Sequence, residues 1–109
     1  MQNERIYTVN IGNKTLEIPY EEIMFIEISN VPHRLTLHRE NDQLQYYGSL
    51  KRVEQEISAF YRCHGSFMIN PENIKAIDKV NRKIEMVNGK ICPVSNRAMK
   101  RLVHLIEDN

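Results

Sequence analysis

Hydrophobic and polar side chains alternate along much of the first ninety residues, and this period of two predicts a series of short β-strands. Residues 5–11 alternate in this way, and the Gly12-Asn13 pair that follows is typical of a hairpin turn into residues 14–18. These two runs are therefore predicted to pair. Further strands are predicted at residues 23–29, 34–39 and 44–48. The first of these opens with four apolar residues, which predicts burial on both faces or a short helical turn at its start.

The spacing of apolar residues widens to three and four after Gly48, which predicts a helix over about residues 50–59 with Ser49 as its N-cap. Strand patterns return at FMIN (67–70), IKAID (74–78), KIEMV and KICPV. Asn88-Gly89 lies between the last two and predicts a tight hairpin. Pro93 has no backbone N–H to donate, so the last strand is predicted to lie at an edge or to end there.

A second amphipathic helix is predicted from the closing segment NRAMKRLVHLIED, with Ser95 as its cap. Its apolar stripe should pack on a sheet, and its second stripe is basic: Arg97, Lys100, Arg101 and His104. No internal repeat or linker interrupts the pattern. The 109 residues are therefore predicted to form a single, mostly β domain with few short helices.

Positive charge is concentrated in the second half of the chain, although the formal net charge is only +1. Residues 1–60 carry six Lys/Arg and nine Asp/Glu, giving −3, whereas residues 61–109 carry nine and five, giving +4. This asymmetry favours an anionic partner. No apolar run approaches the roughly 20 residues of a membrane helix, and the N-terminus lacks the apolar middle of a signal peptide. We expect a cytoplasmic protein without membrane association.

The segment YRCHGSF at residues 61–67 places a cation, a thiol, an imidazole, a glycine and a hydroxyl side by side. Metal binding is disfavoured because adjacent Cys63 and His64 are the only Cys/His pair at a chelating spacing, and their side chains would point to opposite faces of a strand. A thiol enzyme is disfavoured because no family-type signature surrounds Cys63. Neither glycine-rich phosphate-binding motif occurs. We therefore expect no catalytic activity, no metal and no cofactor.

Three groups of residues at predicted loops or at a helix start favour nucleic-acid binding over these alternatives. The first is Arg62, His64 and Ser66, with Gly65 allowing close approach of a backbone. The second is the start of the last helix, where free amides and basic side chains attract anions. The third is His33 with Arg34. An acidic protein partner that meets the same basic face, without any DNA contact, remains the alternative.

The segment FYRCHGSFMINPENIKAID, followed downstream by ICPVSNRAMKRL, resembles the signature of LytTR-type DNA-binding domains. The upstream segments IMFIEIS, HRLTLH and YYGSLKRVE are also similar to that family, particularly to the AgrA-like quorum-sensing response regulators. The resemblance extends over about residues 5–107. It implies an elongated arrangement of antiparallel β-sheets in which loops, rather than a recognition helix, enter DNA.

The resemblance further implies binding to double-stranded promoter DNA at direct repeats, through two successive major grooves and the minor groove between them. His33 and Arg97 would read bases. Gly65 departs from the family pattern, because relatives present an asparagine there. The side chains or positions expected at or near the DNA backbone are Arg34, Arg62, His64, Gly65, Ser66, Asn96, Lys100 and Arg101.

The resemblance also implies an oxidation-sensitive pair, Cys63 and Cys92, whose oxidation weakens DNA binding. Pro93 stands where relatives have an aromatic residue, and a disulfide needs Cα atoms within about 7 Å. Two buried, inert thiols are the alternative interpretation. We expect the isolated domain to be monomeric, with two copies on direct repeats. The receiver domain of such regulators is expected to be absent from this chain, as in an excised fragment or a free-standing regulator.

Overall fold

The computed structural model describes residues 5–107, which form ten β-strands and two α-helices. The first five strands are β1 (Ile6–Ile11), β2 (Lys14–Pro19), β3 (Ile23–Ile28), β4 (Arg34–Arg39) and β5 (Gln43–Tyr47). The other five are β6 (Tyr61–His64), β7 (Phe67–Ile69), β8 (Ile74–Asp78), β9 (Lys83–Met86) and β10 (Ile91–Pro93). The helices are α1 (Leu50–Glu56) and α2 (Asn96–Glu107), and short 3-10 turns cover Tyr20–Glu22 and Pro71–Asn73.

Three antiparallel sheets organise the described chain, which confirms the predicted mostly β architecture. The central sheet has five strands in the order β5-β4-β3-β7-β6, a three-stranded sheet has the order β10-β9-β8, and β1 pairs with β2 alone. The molecule measures 44 × 36 × 26 Å along its principal axes, so it is longer in one direction. Strand β10, which ends at Pro93, is an edge strand, as its missing backbone donor predicts.

The central sheet is buried on both faces by two hydrophobic cores, and strand β3 contributes to both. Ile23 and Ile26 point into the first core, with the β1–β2 hairpin and α1. Met24 and Phe25 point into the second, with the three-stranded sheet and α2. A register shift between Ile23 and Phe25 places two successive side chains on one face. The apolar run at 23–26 is therefore a strand buried on both faces, and a 3-10 turn precedes it.

The structure differs from the sequence predictions at two places, the end of α1 and strand β6. Helix α1 ends at Glu56, because the backbone at Ile57 leaves the helical region (φ −122°, ψ 88°). Ile57 and Phe60 still reach the first core, so the apolar spacing continues although the helix does not. Residues Tyr61–His64, interpreted from the sequence as a loop, form strand β6. A register shift between Arg62 and His64 disrupts the alternation that would otherwise identify this strand.

Candidate functional site

The three basic groups predicted from the sequence lie at one end of the central sheet. Neighbouring strands are antiparallel, so four strand termini lie at that end of the sheet: the end of β3, the start of β4, the start of β7 and the end of β6. The N–H of Ile28 donates to the carbonyl of Ser66 (3.0 Å), joining the β3–β4 loop to the β6–β7 turn. The N–H of Ser95 donates to the carbonyl of Cys63 (2.9 Å), which places the start of α2 beside the same turn. We call residues 29–34, 64–66 and 95–97 the loop end.

His33 is exposed at the tip of the β3–β4 loop and has a left-handed backbone, with φ of 65°. A non-glycine residue in this region costs on the order of 1 kcal/mol, so neighbouring contacts must hold it. Its carbonyl accepts the N–H of Gly48 (3.1 Å), and the flanking N–H of Arg34 donates to the carbonyl of Val31 (3.2 Å). The N–H of Ser29 closes the loop on the carbonyl of Arg34 (3.0 Å). The loop therefore presents the imidazole from a fixed backbone.

The guanidinium of Arg62 is occupied within the protein. It donates to the carbonyls of Gly65 (2.7 Å) and His64 (3.2 Å) and pairs with the carboxylate of Glu54 (3.2 Å). Two of these acceptors belong to the β6–β7 turn itself. Arg62 therefore fixes the shape of the β6–β7 turn, whose residues were predicted to lie at or near the DNA backbone.

The imidazole of His64 is oriented by its own turn. Its Nδ1 accepts the backbone N–H of Ser66 (3.1 Å), which leaves the ring proton of the neutral form on Nε2. Its ring meets Phe67 edge to face, with centroids 5.8 Å apart. His64 and Ser66 are both partly exposed, so the turn offers an imidazole donor and a hydroxyl at its surface.

Gly65 is exposed, and its glycine identity has no structural reason in the described chain. Its φ lies outside the left-handed region, and a Cβ built on it would meet nothing within 4 Å. A side chain would therefore fit without strain. The consequence of the glycine is an open approach to the backbone of the turn.

The first turn of α2 is capped and positively charged. The hydroxyl of Ser95 accepts the N–H of Ala98 (3.1 Å), which confirms the predicted N-cap. Asn96, Arg97, Lys100 and Arg101 are all exposed. The amides at a helix start carry partial positive charge that adds to these side chains.

An open cleft of about 210 Å³ joins the β6–β7 turn to the start of α2. The hydroxyl of Tyr61 donates to the carbonyl of Ala98 (2.9 Å) and so fixes the helix against strand β6. Burial raises the pKa of Tyr61, and the nearby positive charge of Arg101 opposes this shift. The lining includes Arg62, His64, Gly65, Ser95, Arg97 and Arg101. A cleft of this charge suits an anionic group such as a phosphate.

Four cations at and beside the loop end have no acidic partner among the described residues. Within residues 5–107, no carboxylate lies within 4.0 Å of the charged groups of Arg34, Arg97, Lys100 or Arg101. Elsewhere many cations are paired, for example Arg39 with Asp42 (2.7 Å). Unpaired cations leave a local positive potential for an anionic ligand.

Tyr47 lies beside the loop end and is not among the site residues predicted from the sequence. Its ring is 70% exposed, and the Cζ atom of Arg34 lies 4.5 Å from the ring centroid. The sequence contains a signal for it. In the alternating strand β5, Tyr46 faces the first core, so Tyr47 must face outward.

Cys63 and Cys92 lie in the second core as free, fully buried thiols. Burial raises the pKa of Cys63 to about 12, and burial also raises the pKa of Cys92. The sulfur of Cys63 lies 3.5 Å from the carbonyl of Pro93 and 3.8 Å from that of Phe67. Both thiols are therefore held in their protonated, unreactive form. Their pairing on oxidation stays a prediction.

Neither helix within residues 5–107 has the length and apolar character of a membrane-spanning helix. The same residues contain no cluster of three or more His, Cys, Asp or Glu side chains arranged to hold a metal ion.

Comparison with known proteins connects this geometry to a family. Residues 13–107 match the model of the LytTr DNA-binding domain. Accessory gene regulator protein A of Staphylococcus epidermidis (strain ATCC 12228) is 41% identical over 91 residues, and that of Staphylococcus aureus (strain N315) is 38% identical. Both alignments cover 84% of this chain but only 38% of the relative.

A solved structure shows the same fold. A LytTr DNA-binding domain from Bacillus cereus superposes with a TM-score of 0.77 at 25% identity, covering 94% of this chain and 96% of that one. The predicted resemblance is therefore confirmed, both in sequence and in architecture. The chain belongs to the LytTr DNA-binding domain family.

Proposed function

We propose that this chain binds double-stranded promoter DNA as the DNA-binding domain of a bacterial transcription regulator. The observation that carries the proposal is the loop end. Two loops and the capped first turn of α2 meet at one end of the central sheet, although they come from separate parts of the chain. Unpaired cations lie on and beside that edge, which is the charge distribution that phosphate backbones attract.

Within this proposal, His33 and Arg97 read base edges. Arg97 has an unpaired guanidinium, and two of its N–H groups can bind O6 and N7 of guanine together. The left-handed backbone of His33 supports this role, because strained non-glycine residues are concentrated at functional sites. Contacts at or near the DNA backbone come from Arg34, Arg62, His64, Gly65, Ser66, Asn96, Lys100 and Arg101.

The spacing of the two readers supports contacts in successive grooves. His33 precedes β4, whereas Arg97 lies at the start of α2, which packs beside β6, three strand positions from β4. At about 4.8 Å per strand, these positions are roughly 14 Å apart across the sheet. Loops that enter two successive major grooves must span the minor groove between them, which is roughly 6 Å wide, and this spacing is sufficient for that. We propose that the loops enter successive major grooves and span the minor groove between them.

The role of the whole regulator is also part of the proposal. The relatives are accessory gene regulator proteins, and this chain spans 38% of their length. We propose a response regulator of a quorum-sensing two-component system, acting in the cytoplasm. Each domain would bind as a monomer, with two copies on a direct repeat. No catalytic step is needed for this function.

Selection of bound sequences from a random double-stranded DNA pool tests the proposal and supplies the target site. We expect enrichment of a sequence containing two direct repeats. The affinity for the selected site and for a scrambled duplex of equal composition is then measured across a salt titration. The selected site should bind more tightly at every salt concentration, and both affinities should fall as salt rises.

An acidic polypeptide such as polyglutamate is the control for charge alone. Equal affinity for the selected duplex, the scrambled duplex and polyglutamate would contradict the proposal. That result would instead support a protein-interaction module that uses its basic face on an acidic partner.

A further inference from the structure

We propose that Tyr47 is a positioning residue for DNA binding, whose ring holds the guanidinium of Arg34 toward the phosphate backbone. The inference rests on the proposed function and adds a residue for which the sequence predicted no role. Tyr47 acts through Arg34, and its own contact with DNA is not required.

The two residues are cross-strand neighbours. Tyr47 is the last residue of β5 and lies opposite Arg34, the first residue of β4. Directly opposed side chains project from the same face of a sheet. The Cζ atom of Arg34 lies over the ring at 4.5 Å from the centroid, within the range of a cation–π contact.

The ring orients the guanidinium without neutralising it. Arg62 and Arg39 are held by carboxylates, which cancel their charge and occupy their N–H donors. Within the part of the chain that the structure describes, the side chain of Arg34 has neither an ion pair nor a hydrogen bond. Its charge and its N–H donors therefore remain available for a phosphate.

The exposure of Tyr47 sets it apart from its neighbour in the strand. Tyr46 is 5% exposed and belongs to the first core, whereas Tyr47 is 70% exposed. The ring of Tyr47 therefore contributes little to the core. The next residue, Gly48, donates its N–H to the carbonyl of His33 (3.1 Å). The end of β5 thus supports both Arg34 and the loop that presents His33.

Tyr47→Leu and Tyr47→Phe, made in the 109-residue chain, test the inference on the selected and the scrambled duplex. Leucine removes the aromatic face, so we expect about three- to tenfold weaker binding to both duplexes, in line with the loss of one oriented phosphate contact. The slope of log affinity against log salt should become shallower by about 0.9. Phenylalanine keeps the face and should restore wild-type affinity and slope. The thermal midpoint should not change, because the ring is largely exposed.

Arg34→Ala and the Tyr47→Leu/Arg34→Ala double variant complete the cycle. If Tyr47 acts through Arg34, the double variant binds no more weakly than Arg34→Ala alone. Additive losses, wild-type binding by Tyr47→Leu, or an equal loss in Tyr47→Phe would each overturn the inference. Val87→Ser, at an exposed site on the hairpin at the far end of the molecule, is the control and should bind as wild type. Failure of the wild-type chain to prefer the selected duplex would instead refute the proposed function.

Discussion

Two arginines at the loop end illustrate how a side chain's partners decide its role. The guanidinium of Arg62 has three acceptors inside the protein, whereas that of Arg97 is exposed and has no acidic partner within residues 5–107. A contact from Arg62 to DNA would compete with the contacts that shape its turn. In its proposed role, Arg97 would contact a base edge without losing any ion pair within the described residues. The same reasoning separates Arg34 from the carboxylate-bound arginines.

Substitution of Arg97 should remove sequence preference, and substitution of Lys100 should not. For Arg97→Ala we expect a loss of about 1 to 3 kcal/mol of discrimination between the selected and scrambled duplexes, because a bidentate base contact disappears. For Lys100→Ala we expect weaker binding to both duplexes and a salt slope shallower by about 0.9. Salt-titrated gel shifts measure both quantities. Equal, sequence-independent losses in the two variants would refute the division of roles.

The two cysteines should react slowly in the folded protein. Cys63 and Cys92 are fully buried, and burial raises the pKa of Cys63 to about 12, so very little thiolate forms near pH 8. We expect iodoacetamide labelling, followed by mass spectrometry, to be many-fold slower in buffer than in concentrated urea. Unfolding exposes both thiols and returns their pKa to about 8.5, which provides the internal control. Rapid labelling in buffer would show that the second core opens readily.

At the scale of elements, sequence patterns located most strands because their alternation reflects local burial. The β1–β2 hairpin followed from its Gly-Asn pair, and both helix caps followed from a serine. Strand β6 was missed because a register shift at Cys63 interrupts its alternation. Helix α1 was predicted too long because Ile57 and Phe60 continue the helical spacing of apolar residues, although both lie in the turn after the helix. In both cases tertiary packing, rather than local propensity, determined the backbone conformation.

Asn70 joins the 3-10 turn before β3 to the one after β7, and its loss should destabilise the fold. It is 2% exposed, and its amide donates to the carbonyls of Tyr20 (2.9 Å) and Ile23 (3.2 Å). Its side-chain oxygen accepts the N–H of Glu72 (3.1 Å). For Asn70→Ala we expect a loss of about 2 to 4 kcal/mol, because three hydrogen bonds of a buried side chain disappear, although the carbonyls of Tyr20 and Ile23 each keep another donor.

Urea denaturation followed by circular dichroism measures this loss for Asn70→Ala. Asn41→Ala, at an exposed position, is the control and should change stability by less than about 0.5 kcal/mol. Equal stabilities of the two variants would show that the buried amide does not connect the elements as described.

At the scale of the whole molecule, the site depends on strand order, which local patterns do not encode. The sequence identified His33, the YRCHGSF segment and the start of α2 as separate groups. Their meeting at one edge requires β3 to lie between β4 and β7, a pairing between distant parts of the chain. The partners of Arg62 and Arg34 are likewise distant in sequence, at Glu54 and Tyr47. Long-range pairing therefore decides both the site and the state of its cations.

A network around the buried His38 connects the central sheet to the three-stranded sheet that precedes α2. His38, on β4, stacks on Phe25 with centroids 4.1 Å apart, and its Nε2 contacts the carboxylate of Glu27. The ammonium of Lys90, in the β9–β10 hairpin, lies 3.5 Å from Nδ1 of the same ring. A neutral ring satisfies both neighbours, since Nε2–H donates to Glu27 and Nδ1 accepts from Lys90. Protonation would direct a second N–H at the ammonium.

This network should make the stability of the whole domain depend on pH below neutrality. Burial lowers the pKa of His38, the carboxylate of Glu27 opposes the shift, and the charge of Lys90 adds to it. The unfolded chain, with a histidine pKa of about 6.5, therefore binds this proton before the folded chain does. The stabilisation is fully present above about pH 6.5 and is lost as the pH falls through the folded pKa.

We expect the free energy of unfolding to fall as the pH is lowered below about 6.5, by at most about 1.4 kcal/mol per pH unit from this one group. In His38→Gln the fall should be smaller, because the amide keeps both contacts without titrating. Urea denaturation at a series of pH values measures both curves, and His33→Gln, at an exposed position of the β3–β4 loop, is the matched control. Parallel curves for wild type and His38→Gln would remove His38 as the cause. A wild-type stability that rises on acidification would show that Glu27 outweighs burial, so that the folded ring binds its proton more tightly than the unfolded one.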